Sequence, residues 1–332
     1  MKVLHCPTDV AGQAWVISRA QRKYGIKSDV MVYKSSKYYN YKYDYNFCLE
    51  NFSKTSMYLV GFLKTPTFLL NALKNYDIFH FHTKSILPKN YDAFAAKKIG
   101  KKIVFHFHGC EVRLKEHGSC SFCQKMSKSS KLSLIKNAKK LSDLIIVSTP
   151  DLLDELPDAV WINNSIDIEK WKQDRKKIKE DETIKILHSA SDRLVKGTVY
   201  IESAVEKLKK EGYNVKLLIL ENTPNIKVKE FLQHADISVD QLIIGWYGVF
   251  AIESMALGIP TCAYIRKDLE KHMKNLPIVN VNPRNLYEKL RILVEDEKLR
   301  EKLGRKSIKF VIENHDSIKN AKKIIRLYKQ IL

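Results

Sequence analysis

The sequence lacks several features that would place it in a familiar class. It has no uninterrupted apolar run of 18 residues; residues 57–73 come nearest and are broken by Lys64 and Pro66, so we expect no membrane span. No signal-peptide-like apolar run follows Met1. The motifs H-E-x-x-H and G-x-S-x-G and a complete G-x-G-x-x-G are missing, as is an acid pair spaced for a glycosidase. These absences argue against zinc proteases, serine hydrolases of the G-x-S-x-G class and dinucleotide-binding enzymes.

Acidic residues are scarce relative to basic ones. The chain has 58 Lys and Arg against 37 Asp and Glu, a formal net charge of +21 spread over both halves. The positive electrostatic field of this charge favours anionic partners, namely nucleic acid, an acidic lipid surface or phosphorylated small molecules. Zinc-finger, homeodomain-like and RNA-recognition signatures are absent, so we expect no nucleic-acid partner. A basic nucleic-acid-binding protein stays open as an alternative.

Cysteine is also limited, with six residues that indicate thiols or metal ligands in a cytoplasmic protein, not disulfides. Cys110, His117, Cys120 and Cys123 lie within fourteen positions, and Cys120 and Cys123 have the spacing of half a zinc site. A structural zinc site and free thiols in a loop are both compatible with this cluster.

What the sequence does contain is a repeated strand–turn–helix pattern. Short apolar strands alternate with helices that end at glycine, as in doubly wound α/β domains. The pattern is interrupted by a charge-dense stretch without apolar periodicity and then restarts at Ile184. We therefore predict a first α/β domain at 1–170, a linker at 171–182 and a second α/β domain from 183.

Two histidines fall at the ends of predicted neighbouring strands, His82 as the last residue of IFHFH and His108 as the last residue of KIVFHFH. Ligands of α/β folds bind at the carboxyl ends of strands, so these residues are candidates for a site in the first domain. Residues 33–47 alternate tyrosine with lysine. This segment is either an exposed loop or irregular hairpin, or a contact for an acceptor or a membrane surface.

Residues 243–260 predict a loop followed by a helix that starts near Phe250 and ends at Gly258. Glu253 is the acid of this unit, and we expect it in the first turn of the helix. Earlier in the same domain, Arg193, Lys196, Gly197 and Thr198 lie between a strand and a helix. Two cations and a glycine at a helix start can hold a diphosphate.

Three motifs carry a resemblance to a known family: NNSID at 163–167, RLVKGT at 193–198 and GVFAIESMALGIPTCAY at 248–264. Together with the two α/β halves, they resemble the retaining nucleotide-sugar glycosyltransferases of family four. The resemblance implies a GT-B-like α/β fold, with two Rossmann-like domains whose parallel sheets face each other across a cleft. It also implies a donor domain at 183–316 and a C-terminal helix at 317–332 that packs back on the first domain.

The resemblance also assigns roles to residues. The donor diphosphate would be bound by Arg193, Lys196, Gly197 and Thr198, together with Gly12 of the first domain. Glu253 matches the glutamate that binds the donor ribose, and His108 matches a histidine near the transferred sugar, so both are candidate catalytic residues. The family's other glutamate is replaced here by Gly245. The sugar and ribose contacts would then come from the loop and its surroundings: Asp240, Trp246, Tyr247 and Gly248.

The implied activity is a hexosyltransferase-type glycosyl transfer (EC 2.4 class) from a nucleotide-diphosphate sugar to a hydroxyl of a glycan or lipid-linked glycan, with retention. No cofactor or metal is expected, since the cations can stabilise the departing diphosphate. The implied location is cytoplasmic, with peripheral contact to the inner face of an anionic membrane. Gly245 favours the alternative of a non-catalytic or partner-dependent nucleotide-sugar-binding member of the fold.

Overall fold

The computed structural model describes residues 1–33, 36, 38–47, 54–114, 126–171, 182–272 and 274–332, with the backbone alone for 54–63. The described chain forms two compact units. The first comprises residues 1–114, 126–165 and 317–332, and the second comprises residues 166–316.

The first unit is built on a parallel sheet whose seven described strands have the order β3-β2-β1-β4-β5-β6-β7. The strands are β1 (Lys2–Cys6), β2 (Lys27–Val32), β3 (Tyr45–Asn46), β4 (Ile78–His82), β5 (Lys102–Phe107), β6 (Leu144–Val147) and β7 (Val160–Trp161). The helices of this unit are α1 (Gln13–Arg22), α2 (Lys54–Asn75), α3 (Tyr91–Lys98), α4 (Lys128–Leu141) and, at the C-terminus, α12 (Ser317–Ile331).

The two faces of this sheet are covered by different helices because strand residues alternate between faces. On one face, Phe79, Phe81, Phe105 and Phe107 form a core with side chains of α2, α3 and α4. On the opposite face, the apolar ends of the strands pack against α1 and α12, whose contributions include Ile17, Ile324 and Tyr328. The C-terminal helix thus belongs to the first unit, in agreement with the expected fold class.

The second unit contains a parallel sheet of order β12-β11-β10-β8-β9. Its strands are β8 (Ile184–Ala190), β9 (Val215–Glu221), β10 (Ile237–Val239), β11 (Thr261–Ala263) and β12 (Val279–Asn280). Its helices are α5 (Ile168–Trp171), α6 (Arg193–Lys196), α7 (Thr198–Lys210), α8 (Asn225–Gln233), α9 (Val249–Ala256), α10 (Leu286–Glu295) and α11 (Glu297–Asn314). The two parallel, helix-covered sheets confirm the predicted α/β class.

The structure differs from the simple sequence pattern in three places. Tyr45 and Asn46 pair in parallel with β2, so the end of the tyrosine-rich segment is a strand. Helix α2 continues through Pro66, although proline often breaks a helix. Helices α10 and α11 are separate, because the Asp296 side chain accepts a hydrogen bond from the backbone N–H of Leu299 and starts a new helix.

Two expectations concern residues outside the described ones: most of the linker at 171–182, and His117, Cys120 and Cys123 of the cysteine cluster. Among the described helices, none combines the length and the hydrophobicity that a bilayer crossing requires.

Candidate functional site

A buried ion pair lies at the start of α9 in the second unit. The Lys196 ammonium contacts the Asp240 carboxylate, and their side chains are 12% and 0% exposed. The second oxygen of Asp240 accepts a hydrogen bond from the backbone N–H of Gly248 across 2.6 Å. Gly248 is the N-cap residue of α9, so one aspartate orients both the cation and the amide that immediately precedes the helix. A carbon added at Gly248 would lie 3.2 Å from Asp240 Oδ2 and 3.4 Å from Lys196 Nζ, which shows how closely the three groups converge.

Glu253 lies one turn further along α9. It is the fifth residue of the helix, in the second turn and not in the first, because α9 begins at Val249. Its side chain is buried, and one carboxylate oxygen accepts a 2.7 Å hydrogen bond from the side-chain amide of Asn225. Burial raises the pKa of Glu253 to about 8; the Asn225 hydrogen bond opposes this shift and the Asp240 charge adds to it. Burial, not the helix dipole, therefore controls this carboxyl group.

Arg193 lies apart from this pair. Its guanidinium is 45% exposed and pairs with the carboxylates of Glu202 and Glu221, the latter at 3.4 Å. In this arrangement Lys196 alone of the two predicted cations reaches the start of α9. The neighbouring Asp240 also neutralises Lys196, so this group is less positive than the sequence alone predicts.

Gly197 and Thr198 connect α6 to α7. Gly197 has a φ of +72°, and a carbon added there would lie 3.0 Å from Leu242 Cβ, so both conformation and space favour glycine. The Thr198 hydroxyl is buried and lies 2.9 Å from Nε2 of His188, whose Nδ1 contacts the Val239 carbonyl at 2.8 Å. Thr198 therefore uses its side chain to anchor the helix start, which leaves its backbone as the group available to a phosphate.

Trp246 and Tyr247 of the preceding loop are each 2% exposed. Their rings stack with centroids 5.0 Å apart, and the Tyr247 hydroxyl lies 3.0 Å from Nε2 of His315. These predicted sugar-binding side chains thus pack inside the unit and shape the loop from within.

Gly245 occupies the position where the resemblance implies an acid. Its φ is +92°, a conformation that side-chain-bearing residues rarely adopt. A carbon added there would lie 2.8 Å from Cγ of Arg266, so the arginine stem fills the space that a glutamate side chain would need. The backbone conformation and the packing of Arg266 therefore favour glycine over an acidic residue at position 245.

In the first unit, Gly12 precedes α1 with a φ of +74°. Tyr41 covers it, because a carbon added to Gly12 would lie 3.0 Å from that ring. Tyr41 stacks on Trp15 with ring centroids 4.2 Å apart, and the Tyr43 hydroxyl donates to half-buried Asp9. Desolvation raises the pKa of Asp9 to about 6. The described part of the tyrosine-rich segment thus packs over the predicted phosphate loop.

His108 belongs to a closed ring of hydrogen bonds in the first unit. Each member contacts the next through polar side-chain atoms: His108, Ser148, His106, His80, Tyr328, Gln21, His5, His82 and back to His108. All five histidines lie on one face of the sheet, and burial lowers the pKa of each, to about 3 for His108. The rings are therefore neutral at pH 7.

We call this closed set of hydrogen bonds the histidine ring. Counting its donors and acceptors shows which nitrogen of each imidazole carries the proton. A neutral imidazole donates from one nitrogen and accepts at the other, so every link must run in the same direction. The Gln21 amide donates to the Tyr328 hydroxyl across 3.4 Å and accepts from His5 Nε2 across 2.9 Å. This direction places the proton of all five histidines on Nε2. Both nitrogens of His108 are consequently engaged, with Ser148 at 2.8 Å and His82 at 2.9 Å.

Metal-ligating groups occur in this same region. Two overlapping histidine triplets bring their ring nitrogens within 4.8 Å of one another: His5, His80 and His82, and His82, His106 and His108. Of the predicted cysteine cluster, the structure describes Cys110, whose sulfur lies 3.5 Å from a guanidinium nitrogen of Arg113.

Sequence reasoning missed Asn225, the partner of Glu253, and the histidine ring as a whole. Asn225 has no sequence signal, since it lies 28 positions from its partner. The histidines did leave a sequence signal. His80 and His82 alternate along β4, and His106 of β5 is followed two positions later by His108, so this spacing predicts one face.

No protein-family model matches this sequence, and no curated protein matches it. Solved structures do resemble it. Sucrose-phosphate synthase from Thermosynechococcus elongatus superimposes with a TM-score of 0.68 at 13% identity, over 100% of this chain and 99% of that one. HepE from Anabaena, solved with UDP and glucose, superimposes with a TM-score of 0.65 at 13% identity, over 99% of each chain.

A glycosyltransferase from Rickettsia africae gives a TM-score of 0.67 at 16% identity, over 99% of this chain and 97% of that one. The chain thus has the GT-B fold of these glycosyltransferases, which confirms the expected structural resemblance. At these identities, the similarity establishes the fold alone.

Proposed function

We propose that this protein transfers a sugar from a nucleotide-diphosphate donor to a hydroxyl acceptor, with retention. One observation carries the proposal: Lys196, the N-terminus of α9 and buried Glu253 come together within one unit. The structural neighbours support it, since HepE has been solved with UDP and with UDP-glucose.

In this proposal, Lys196 and α9 bind the donor diphosphate. An ammonium has three N–H groups, so Lys196 can contact Asp240 and still donate to phosphate oxygens. The first backbone N–H groups of α9 have no intrahelical acceptor and carry the positive end of the helix dipole. Both features stabilise charge that grows on the diphosphate as the glycosidic bond breaks. No step requires a metal ion.

Glu253 receives the ribose hydroxyls in the same proposal. Hydrogen bonds from two hydroxyls favour the ionised carboxylate and lower its pKa on binding. Since burial holds that pKa near 8 in the free protein, nucleotide affinity should fall as the pH drops below 8. Glu253→Gln should bind more weakly at pH 8.5 and lose this pH dependence.

Calorimetry with UDP and GDP tests the proposal. Lys196→Met combined with Asp240→Asn removes the charge pair without leaving a buried ion, and should weaken binding by more than about 10-fold. Arg193→Ala is the matched control, because that exposed cation pairs with Glu202 and Glu221. Unchanged binding in the double variant, or no binding of any nucleoside diphosphate, would remove the proposal.

Gly245 favours a second candidate, a nucleotide-sugar-binding protein without independent turnover. The Arg266 stem occupies the space beside Gly245, where the family resemblance places a sugar-contacting acid. A panel of nucleotide sugars, read by mass spectrometry for product release, separates the two candidates. Release of nucleoside diphosphate by the isolated chain would reject the non-catalytic one.

The hexosyl donor, a glycan or lipid-linked acceptor and a cytoplasmic location at the inner membrane face form part of the proposal. The net charge of +21 supports contact with anionic headgroups. Flotation with liposomes of neutral and acidic composition tests this contact. Failure to float with acidic liposomes would exclude it.

A further inference from the structure

We propose that His82, His106 and His108 bind a divalent transition-metal ion of the zinc class. This site lies in the first unit and goes beyond the proposed glycosyl transfer, although it includes His108, which the family resemblance places near the transferred sugar.

Sheet geometry places the three imidazoles side by side. His82 of β4 and His106 of β5 are direct partners in the parallel register. His108 follows two positions later and projects to the same side, since strand residues alternate. A rigid central sheet therefore presents the ligands, as metal sites require.

The distances suit a small ion. His82 Nδ1 lies 2.9 Å from His108 Nε2, and ligand atoms of all three rings lie within 4.8 Å of one another. In a tetrahedral site with metal–nitrogen bonds of about 2.0–2.1 Å, neighbouring ligand nitrogens are about 3.3 Å apart. Small side-chain rotations therefore suffice to enclose an ion.

The surrounding contacts orient the ligands. His82 uses its other nitrogen to contact His5 Nδ1 at 3.0 Å, and His106 Nδ1 contacts His80 Nε2 at 3.1 Å. Second hydrogen bonds of this kind fix the orientation of metal-ligating histidines. The Ser148 hydroxyl lies within 3.0 Å of both His106 and His108 and is available as a fourth group.

The imidazole ligands determine which metal ions the site can bind. Imidazole suits Zn²⁺, Co²⁺, Ni²⁺ and Cu²⁺, whereas Mg²⁺ and Ca²⁺ require oxygen ligands. The triplet is preferred over His5, His80 and His82, which are 0% exposed, because half-buried His108 provides a route for the ion.

Metal binding has a consequence for the histidine ring. An ion between His82 Nδ1 and His108 Nε2 replaces their direct hydrogen bond. The proton of His108 then resides on Nδ1 and is donated to Ser148. His106 ligates through Nε2, so its proton moves to Nδ1 and is donated to His80 Nε2, and the proton of His80 moves to Nδ1 and is donated to the Tyr328 hydroxyl. All three imidazoles stay neutral, and their tautomers change.

The test uses the full-length protein after chelator treatment. Zn²⁺ should bind with a stoichiometry of one in calorimetry. Co²⁺ should give the visible absorption of a four-coordinate ion without a thiolate charge-transfer band. Nitrogen NMR should show His106 and His108 changing from the Nε2–H to the Nδ1–H tautomer on Zn²⁺ addition.

Variants identify the ligands. His108→Asn, at a half-buried position, should weaken Zn²⁺ binding by more than about 100-fold, and His5→Asn, which changes an outer contact, by about 10-fold. Cys120→Ser with Cys123→Ser should leave binding unchanged, as should the control His234→Asn. Circular dichroism confirms folding of each variant.

Three outcomes would overturn the proposal. The first is the absence of stoichiometric binding, which would leave a metal-free histidine ring only. The second is binding that survives His108→Asn but is lost in His5→Asn, which would assign the ion to the other triplet. The third is loss of binding in the cysteine variant.

Discussion

The side-chain amide of Asn225 donates a 2.7 Å hydrogen bond to the buried carboxylate of Glu253, and so connects the start of α8 to α9. This contact opposes the effect of burial on the pKa of Glu253. It also holds the carboxylate in one orientation, which a ribose-binding group requires.

Asn225→Ala should therefore weaken nucleoside diphosphate binding without removing it. The pKa of Glu253 should rise, because the variant loses a hydrogen bond to the ionised form. We expect about a 5–10-fold increase in the Kd for UDP at pH 7.5, measured by calorimetry. Lys227→Ala, on the same helix and paired with exposed Glu230, should bind as the wild type does. Equal affinity of Asn225→Ala and the wild type would contradict the positioning role.

Glu253 also makes protein stability depend on pH. Its folded-state pKa of about 8 lies above the ordinary value of 4.5, so the native state keeps a proton that the unfolded state loses between these limits. The free energy of unfolding should then fall as the pH rises from about 4.5 to 8, by at most about 1.4 kcal/mol per pH unit, and level off above 8.

Urea unfolding of wild type and Glu253→Gln over this pH range measures the effect. The difference in unfolding free energy between the two proteins isolates this one carboxyl group. It should shift in favour of Glu253→Gln as the pH rises. A difference that is constant with pH would show that Glu253 titrates normally in the folded protein.

The sequence predicted the parts of this fold that depend on local pattern. Short apolar runs marked the strands, and Gly258 ends its helix region at a φ of +69°, as expected. The pairing of residues 45–46 with β2 escaped prediction because strand pairing depends on partners far apart in the chain.

The sequence likewise predicted only part of the candidate site. Lys196 and Glu253 were identified from motif positions, whereas Asp240 was predicted as a sugar or ribose contact in place of the missing glutamate. The structure instead pairs Asp240 with Lys196. The burial of Trp246 and Tyr247 was not foreseen, because nothing local distinguishes a loop aromatic that lines a site from one that packs inward. The engagement of both His108 nitrogens likewise depends on the register across β4, β5 and β6.

The glycine at position 245 allows a matched test of backbone strain. Gly245 and Gly212 have φ values of +92° and +90°, but an added carbon at Gly212 meets no atom within 4 Å. Both alanine variants should lose about 1–3 kcal/mol of stability from the left-handed backbone alone. Gly245→Ala should lose slightly more, because the flexible Arg266 stem must move aside. A Gly245→Ala loss below that of Gly212→Ala, measured by urea unfolding, would show that Arg266 does not pack there.

Tyr328 joins the C-terminal helix to the histidine ring, and its replacement tests the ring. Tyr328 of α12 lies between Gln21 and His80, so Tyr328→Phe leaves the Gln21 amide and His80 Nδ1 without this hydroxyl. Because these groups are buried, we expect a stability loss of about 1–3 kcal/mol. The proton on His80 also loses its constraint, since no hydroxyl donates to Nδ1 any longer.

Urea unfolding and nitrogen NMR of chelator-treated protein measure both effects. In the wild type, all five imidazoles should show the Nε2–H tautomer; in Tyr328→Phe, His80 and its neighbour His106 should show mixed tautomers. Tyr24→Phe is the control, because the Tyr24 hydroxyl contacts the Ile318 carbonyl on α12 at an exposed position. Wild-type histidines of mixed tautomer would exclude a ring that runs in one direction. If they are uniform, the hydrogen bonds of this ring connect the C-terminal helix to the carboxyl edge of the first sheet.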